Sequence, residues 1–600
     1  MCTIIDAKKR HSGVLRAMIQ LADVHLPRFA WAYPRAGLLA GLAILGLAPA
    51  SAETLIPFEK FNLDNGLTVI VHTDRKAPVV AVNVWYHVGS KNERPGKTGF
   101  AHLFEHLMFQ GSEHYDDEYF KPFEQVGATG QNGTTSFDRT NYFQNVPTTA
   151  LDFALWMESD RMGHLLGVVK QERLDEQRGV VKNEKRQGEN RPLGRVWETV
   201  MRASFPVGHP YHWLPIGSME DLDAASLEDV QEWFRTYYGA ANAVLVLAGD
   251  IDVATAREKV ERYFGHIPAG PPITRPGVWI AAREESRREV MADQVSQTFL
   301  YRFWNTPPEG STDADLLAIA GHILGGGKTS RLYERLVYRE RLADTVSAGS
   351  SAFEIAGLFS ITASVKADVE QARVEAAIDE ELRHFIAKGP TREELERART
   401  SLRAGFLKGL ERIGGFGGKA DVLAACEVFE GDPGCYQRSL ELLGTATAEQ
   451  VREAAARWLT RGDYTLEVHP YPAYHNAASS AVDRSQGPPV PAEFPSLVFP
   501  ELQRHRLSNG MPVVIANRPG VPVVRVSALF DAGYAADLGR KPGTASFAMS
   551  LLDEGTGKLG ALEIAKRAES LGAGLVAGSS LDTSFGAVSA RRPIRRRSLT

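Results

Sequence analysis

A segment near the start of this chain returns near its end. "NGLTVIVHTDRKAPVVAVNVWYHVG", Asn65 to Gly89, aligns without a gap with "NGMPVVIANRPGVPVVRVSALFDAG", Asn509 to Gly533, at an offset of 444 residues. The Asn-Gly pair, the apolar V-I-V or V-V-I run, Pro78/Pro522 and Gly89/Gly533 all coincide. Each copy reads as a hairpin turn, a strand, a loop and a second strand. The chain therefore carries one long unit and the beginning of a second built on the same scaffold.

The first unit divides again. Residues 54 to 270 alternate strand-like and helix-like stretches and end in "NAVLVLAGDID", a buried strand closed by Gly249-Asp250. "IPAGPPITRPG", Ile267 to Gly277, is rich in Pro and Gly and reads as a linker. Residues 278 to 472 again mix strands ("LFSITASV") with long helices ("TREELERARTSLRAGFLKGL"). A polar linker runs from Asn476 to Pro495, and residues 497 to 600 hold the partial repeat. A chain of 600 residues agrees with this count of several domains. A full second unit needs on the order of 400 residues, and the chain ends after about 105 with Arg591, Arg592, Arg595, Arg596 and Arg597 close together. The expectation is a truncated or frame-shifted reading of a longer protein; a genuine basic tail is the other reading.

The formal net charge of −5 argues against a nucleic-acid binder. At the N-terminus, Arg35, an apolar run from Ala36 to Ala48 and the sequence Ala50-Ser51-Ala52 form a secretory signal expected to be cut after Ala52, with Met18 an alternative start. That run is too short to span a bilayer comfortably, and no other segment is long enough, so no stable membrane insertion is expected and the mature protein is placed in the periplasm or outside the cell; an uncleaved anchor is the other reading. Three cysteines cannot make a disulfide framework; Cys426 and Cys435 form one bridge or stand as two buried thiols, and the spacing does not choose.

Chemistry concentrates in "GFAHLFEHLMFQGS", Gly99 to Ser112. On a helix each residue advances about 100°, so His102 and His106 lie about 40° apart with Glu105 on the same face. Neutral imidazoles suit zinc, and a catalytic zinc takes three protein ligands and keeps a position for water. The triplet thus supplies two ligands and one base, and needs a third ligand from elsewhere. Helix-surface residues would look the same, but here the surroundings are apolar and a buried polar cluster without a partner is costly. The repeat is an internal control. At the same offset His102 falls on Ser546, Glu105 on Met549 and His106 on Ser550, while Gly99/Gly543 and Gly111/Gly555 persist. The scaffold does not require the triplet.

His-x-x-Glu-His is the inverted zincin motif. With "GATGQNGTTSFDRTNYF", "VVKNEKRQGENRP", "NAVLVLAGDID" and "LGGGKTSRLYERL", it makes the chain resemble the pitrilysin family of zinc metallopeptidases, which includes insulin-degrading enzyme and the mitochondrial processing peptidase. The resemblance implies an α+β fold (an α/β sandwich) in which each unit is two like domains, each an antiparallel-rich sheet with helices packed on one face. Two units face each other as a clamshell around a chamber. It implies Zn2+ as cofactor, with Glu184, 78 residues beyond His106, as the third ligand beside His102 and His106. Glu105 is then the general base of a zinc endopeptidase acting on peptides or unfolded segments.

A second catalytic glutamate of the family falls on Gln177, which cannot ionise; Glu172, Asp175 and Glu176 read as solvated helix charges. "NGTTSFDRTNYFQNV" reads as a strand whose edge, by resemblance, captures substrate as an added strand, with Asn132 and Gly133 at its start. A simple turn at Asn132-Gly133 is the plainer reading. The family's facing unit completes the site from its last domain, which is absent here, so a homo- or heterodimer partner supplying the missing half is expected. A non-catalytic peptide-binding or assembly subunit is the alternative. "GHILGGGKTS" is not a phosphate loop, because the pattern places a glycine where His322 stands. His87, His114 and His164 have no ligand-like partners at suitable spacing and read as ordinary.

Overall fold

The computed structural model describes residues 55–471, 501–517 and 522–591. The signal segment, the linker 476–495 and the arginines from Arg592 onward lie outside the described residues.

The first sheet has six strands: β1 (Glu59–Asn62), β2 (Thr68–Thr73), β3 (Val79–Tyr86), β4 (Thr129–Thr135), β5 (Thr140–Pro147) and β6 (Ala243–Gly249). Their order is β1-β2-β6-β3-β5-β4, antiparallel except for β2 with β6. Strand β4 therefore forms one edge. Alternate residues of β3 point to opposite faces. Val80, Val82, Val84 and Tyr86 pack on the domain's own helices. Ala81 and Trp85 pack on the other side against Leu423, Ala424 and Val428, from a helix at Lys419–Glu430 that comes from the second half of the unit. Covered on both sides, β3 reads VVAVNVWY, nearly continuous apolar rather than alternating.

The second sheet holds β7 (Arg287–Asp293), β8 (Phe299–Thr306), β9 (Ala343–Ala352), β10 (Gly357–Val365) and β11 (Tyr464–Pro470), in the order β7-β11-β8-β10-β9. Residues 267–282 between the sheets carry no helix or strand. The helix at Arg392–Gly409 starts at Thr391, whose hydroxyl and the Glu394 carboxylate form a capping box.

The repeat holds in three dimensions. Strands β12 (Leu502–Arg506), β13 (Pro512–Ala516), β14 (Val523–Phe530), β15 (Gly574–Ser579) and β16 (Ser584–Arg591) follow the pattern of β1 to β5. Gly66 and Gly510 both take a left-handed φ, of 86° and 84°. A Cβ on Gly89 would strike the carbonyls of Ser136 and Phe137; on Gly533 it would strike those of Ser580 and Leu581, their equivalents at the same offset. In the first unit β6 joins the β1-β2 pair to β3-β5-β4. Among the described residues no strand takes that place in the second, and β12-β13 and β14-β16-β15 stand as separate sheets.

Cys426 and Cys435 are paired in a disulfide, which resolves the choice that the spacing left open. "NGTTSFDRTNYFQNV" is not one strand. It breaks at residues 136–139, where Asp138 and Arg139 donate backbone hydrogen bonds to Ser136 Oγ, and continues as β5, so the segment is the β4–β5 hairpin. β-branched and aromatic residues run through the break, which hid it from a propensity reading.

Candidate metal centre

Helix α1 (Phe100–Leu107) carries the triplet. It begins after Gly99, whose φ is 89° and where a Cβ would lie 2.9 Å from the Ile216 carbonyl oxygen. The Ala101 N–H donates to Glu93 Oε1 at 2.8 Å, so a buried carboxylate satisfies one open donor at the helix start. Asp537 does the same for Ala545 in the repeat, at 3.2 Å. Leu103, Phe104 and Leu107 are fully buried, each worth about 1.5–3 kcal/mol of apolar burial. They fix the rotation of α1 so that His102, Glu105 and His106 share the opposite side.

A second helix, α2 (Gln171–Glu189), packs against α1 and brings Glu184 to them. Glu184 Oε2 lies 3.8 Å from His102 Nε2 and 3.5 Å from His106 Nε2. One ligand atom from each of these three residues falls within 4.8 Å of the others, and they form the one such group of three among the described residues. The two rings stand edge to face with centroids 4.8 Å apart. Burial, with His106 beside it, lowers the His102 imidazole to about 4, so it is neutral at pH 7 and keeps a lone pair for an ion. His102 Nδ1 is buried without a protein partner. Two imidazoles and a carboxylate converging this way fit a zinc ion.

Glu105 is buried beside them. Burial pushes its carboxyl up to about 7, opposed by the Thr135 hydroxyl, which donates to Oε2 at 2.6 Å, and by the charge of Arg139. A cation bound next to it would favour the charged carboxylate. Thr135 and Arg139 belong to the hairpin and were not singled out from the sequence. Arg139 is held by the Thr134 carbonyl at 2.9 Å and by Asn141 Oδ1 at 3.1 Å, and lies over the Trp85 ring.

Asn132 and Gly133 lie inside β4 and do not form a turn. Asn132 is exposed; Gly133 is buried, and a Cβ there would come within 2.6 Å of the Phe109 ring, just past the end of α1. That close approach needs a glycine and sets the edge strand beside the metal helix. The hairpin is anchored at its turn by Tyr211 of the first half of the unit and by the Glu354 backbone of the second half. Tyr211 Oη donates to Asp138 Oδ1 at 2.6 Å, and the Glu354 N–H donates to Asp138 Oδ2 at 3.1 Å. Gln177 is buried two helical turns before Glu184, whereas Glu172, Asp175 and Glu176 are exposed on α2. The glycines of "GGGKTS" serve packing: a Cβ on Gly325 would overlap the Ala348 backbone nitrogen, and Lys328 pairs with Asp553 and Glu554 of the partial repeat.

The other histidines are better connected than their spacing suggested. His87 Nε2 lies 2.7 Å from Glu354 Oε2. His114 Nδ1 lies 2.6 Å from Asp160 Oδ1, and His164 Nε2 3.1 Å from His266 Nε2. These partners are 46 to 267 residues away, beyond any local pattern.

The family profile described as "Insulinase (Peptidase family M16)" matches residues 68–209, and that described as "Peptidase M16 inactive domain" matches residues 224–402. The zinc protease PqqE of Helicobacter pylori is 30% identical over 381 residues, covering 62% of this chain and 84% of that protein. The chain belongs to the M16 peptidase family. The crystal structure of a protease from Helicobacter pylori superposes on it with a TM-score of 0.63 at 25% identity, covering 69% of this chain and all of that one. The periplasmic protease PqqL of Escherichia coli covers 90% of this chain and 64% of its own length, with a TM-score of 0.58 at 19% identity, a likeness of fold that extends into the second unit. Within the M16 family the relatives that this chain matches include proteins named as zinc proteases, which supports a peptidase role.

Proposed function

We propose that this chain is a zinc-dependent endopeptidase acting on extended peptides or unfolded segments. The observation that carries the reading is the convergence of His102, His106 and Glu184 with Glu105 on the same helix face. Neutral imidazoles and a carboxylate oxygen are the donor set of catalytic zinc sites. Zinc held by these three residues would polarise the scissile carbonyl and make water nucleophilic at neutral pH. Glu105 takes the proton of the attacking water and passes it to the departing amine. Thr135 occupies Oε2 of that carboxylate and leaves Oε1 for the proton. The free edge of β4 pairs with the substrate backbone as an added strand, which demands an extended peptide and little particular sequence. Asn132 and Gly133 sit on that edge and contact substrate in this reading.

The second unit forms the wall facing the metal centre, and a second polypeptide completes it. Residues buried in the first unit have exposed equivalents in the second: Ile70 (0%) and Val514 (52%), Trp85 (4%) and Leu529 (73%), Leu103 (0%) and Phe547 (67%). Exposure of large apolar residues at core-equivalent positions supports a contact surface there. The chamber so closed limits substrates to segments that fit inside. Export to the periplasm or beyond is part of the same reading, supported by the N-terminal signal pattern and by the Cys426–Cys435 bridge, which suits an oxidising compartment.

Peptide hydrolysis by the purified chain tests the function. It is expected to stop when a chelator removes the metal and to return with added Zn2+; hydrolysis indifferent to the chelator overturns the reading.

A further inference from the structure

Helices α3 (Leu151–Gly163) and α4 (Val253–Phe264) pack together and end side by side. Gly163 permits the approach: a Cβ there would meet Ile267 at 3.1 Å. A histidine follows each end. His164 accepts the C-terminal position of α3, and His266 lies two residues past α4. Their Nε2 atoms face each other at 3.1 Å with the rings nearly parallel.

We propose that His164 and His266 form a second divalent-metal site, separate in its ligands from the one on α1. An ion about 2.1 Å from both nitrogens subtends about 95° between them, a cis angle that zinc and its neighbours accept. Glu113 places a negative charge on the Nδ1 side of His164: its Oε2 lies 3.8 Å from His164 Nδ1, while its Oε1 is held by the Gly167 N–H at 2.9 Å. A carboxylate on that side favours a proton at Nδ1, the tautomer that leaves the Nε2 lone pair for the ion. The local field also favours a cation. Two helix C-termini, each the negative end of its dipole, meet at the pair. A third imidazole, His114, stands edge-on to His164 with ring centroids 5.0 Å apart, and its Nδ1 is held by Asp160. Both ligands are open to solvent, so water completes the coordination and binding is weaker than at a three-ligand site. The bound ion staples the ends of α3 and α4 together.

The test is Zn2+ titration of the metal-stripped full chain, with bound metal counted by equilibrium dialysis against buffer that holds free Zn2+. His266→Ala should bind one equivalent fewer than wild type. Circular dichroism without metal should be the same for both. The His102→Ala/His106→Ala variant should retain the equivalent that His266→Ala loses, and with Cu2+ should give an electron paramagnetic resonance spectrum with two nitrogen ligands. An unchanged metal count in His266→Ala, or no two-nitrogen signal in the double variant, means a hydrogen-bonded imidazole pair only and overturns the site.

Discussion

The Thr135 hydroxyl donates a 2.6 Å hydrogen bond to Oε2 of Glu105, 30 residues away in sequence. One partner lies on the edge strand proposed to hold substrate and the other on the metal helix. The bond sets the carboxylate's rotation and couples the two elements. A hydrogen bond to a charged group is worth about 1.5–3 kcal/mol. Thr135→Val is therefore expected to lower kcat by about ten- to a hundred-fold with zinc content unchanged, and Thr135→Ser to recover most of the loss. Steady-state kinetics beside metal analysis check this; equal kcat in wild type and Thr135→Val contradicts it.

Asp138 ties the turn of the same hairpin to Tyr211 of the first half of the unit and to the Glu354 backbone of the second half, with Lys91 Nζ 3.5 Å away. Removing the charge leaves these buried donors and the cation poorly matched. Asp138→Asn is expected to destabilise the fold by about 1–3 kcal/mol, and Tyr211→Phe by about 1 kcal/mol. Thermal unfolding measures both. A Tm unchanged in Asp138→Asn would show that the turn is not an anchor.

The exposed equivalents of buried first-unit residues predict association. The chain alone as a monomer should hydrolyse peptides weakly, and specific activity should rise when a partner half-chain is added or when copies associate. Light scattering coupled to an activity assay follows both quantities. Full activity from a strict monomer would contradict a completed wall.

Much of this was legible in the sequence, for identifiable reasons. The ungapped repeat fixed the scaffold down to glycines whose role is backbone approach, because Gly89 and Gly533 meet equivalent carbonyls. His102, Glu105 and His106 were readable because helical spacing alone puts them on one face. Glu184 was reached only through resemblance to a family, since no local pattern separates it from the other acids of α2. Thr135, Arg139 and Asp138 were not legible, because their roles depend on where the hairpin turns and on which domain meets it. The helix covering the far face of the first sheet was missed for the same reason: its partner strand is more than 300 residues earlier. The His164–His266 pair is likewise a product of helix packing that no spacing rule encodes.

In the proposed mechanism Glu105 acts as the base beside a metal that it does not hold. Glu105→Gln keeps the shape and the Thr135 contact but cannot take a proton. Metal content and peptide hydrolysis measured on the same preparation decide the matter. The expected result is zinc bound as in wild type with turnover reduced by about a hundred- to ten-thousand-fold. Wild-type turnover in the zinc-loaded variant would contradict it.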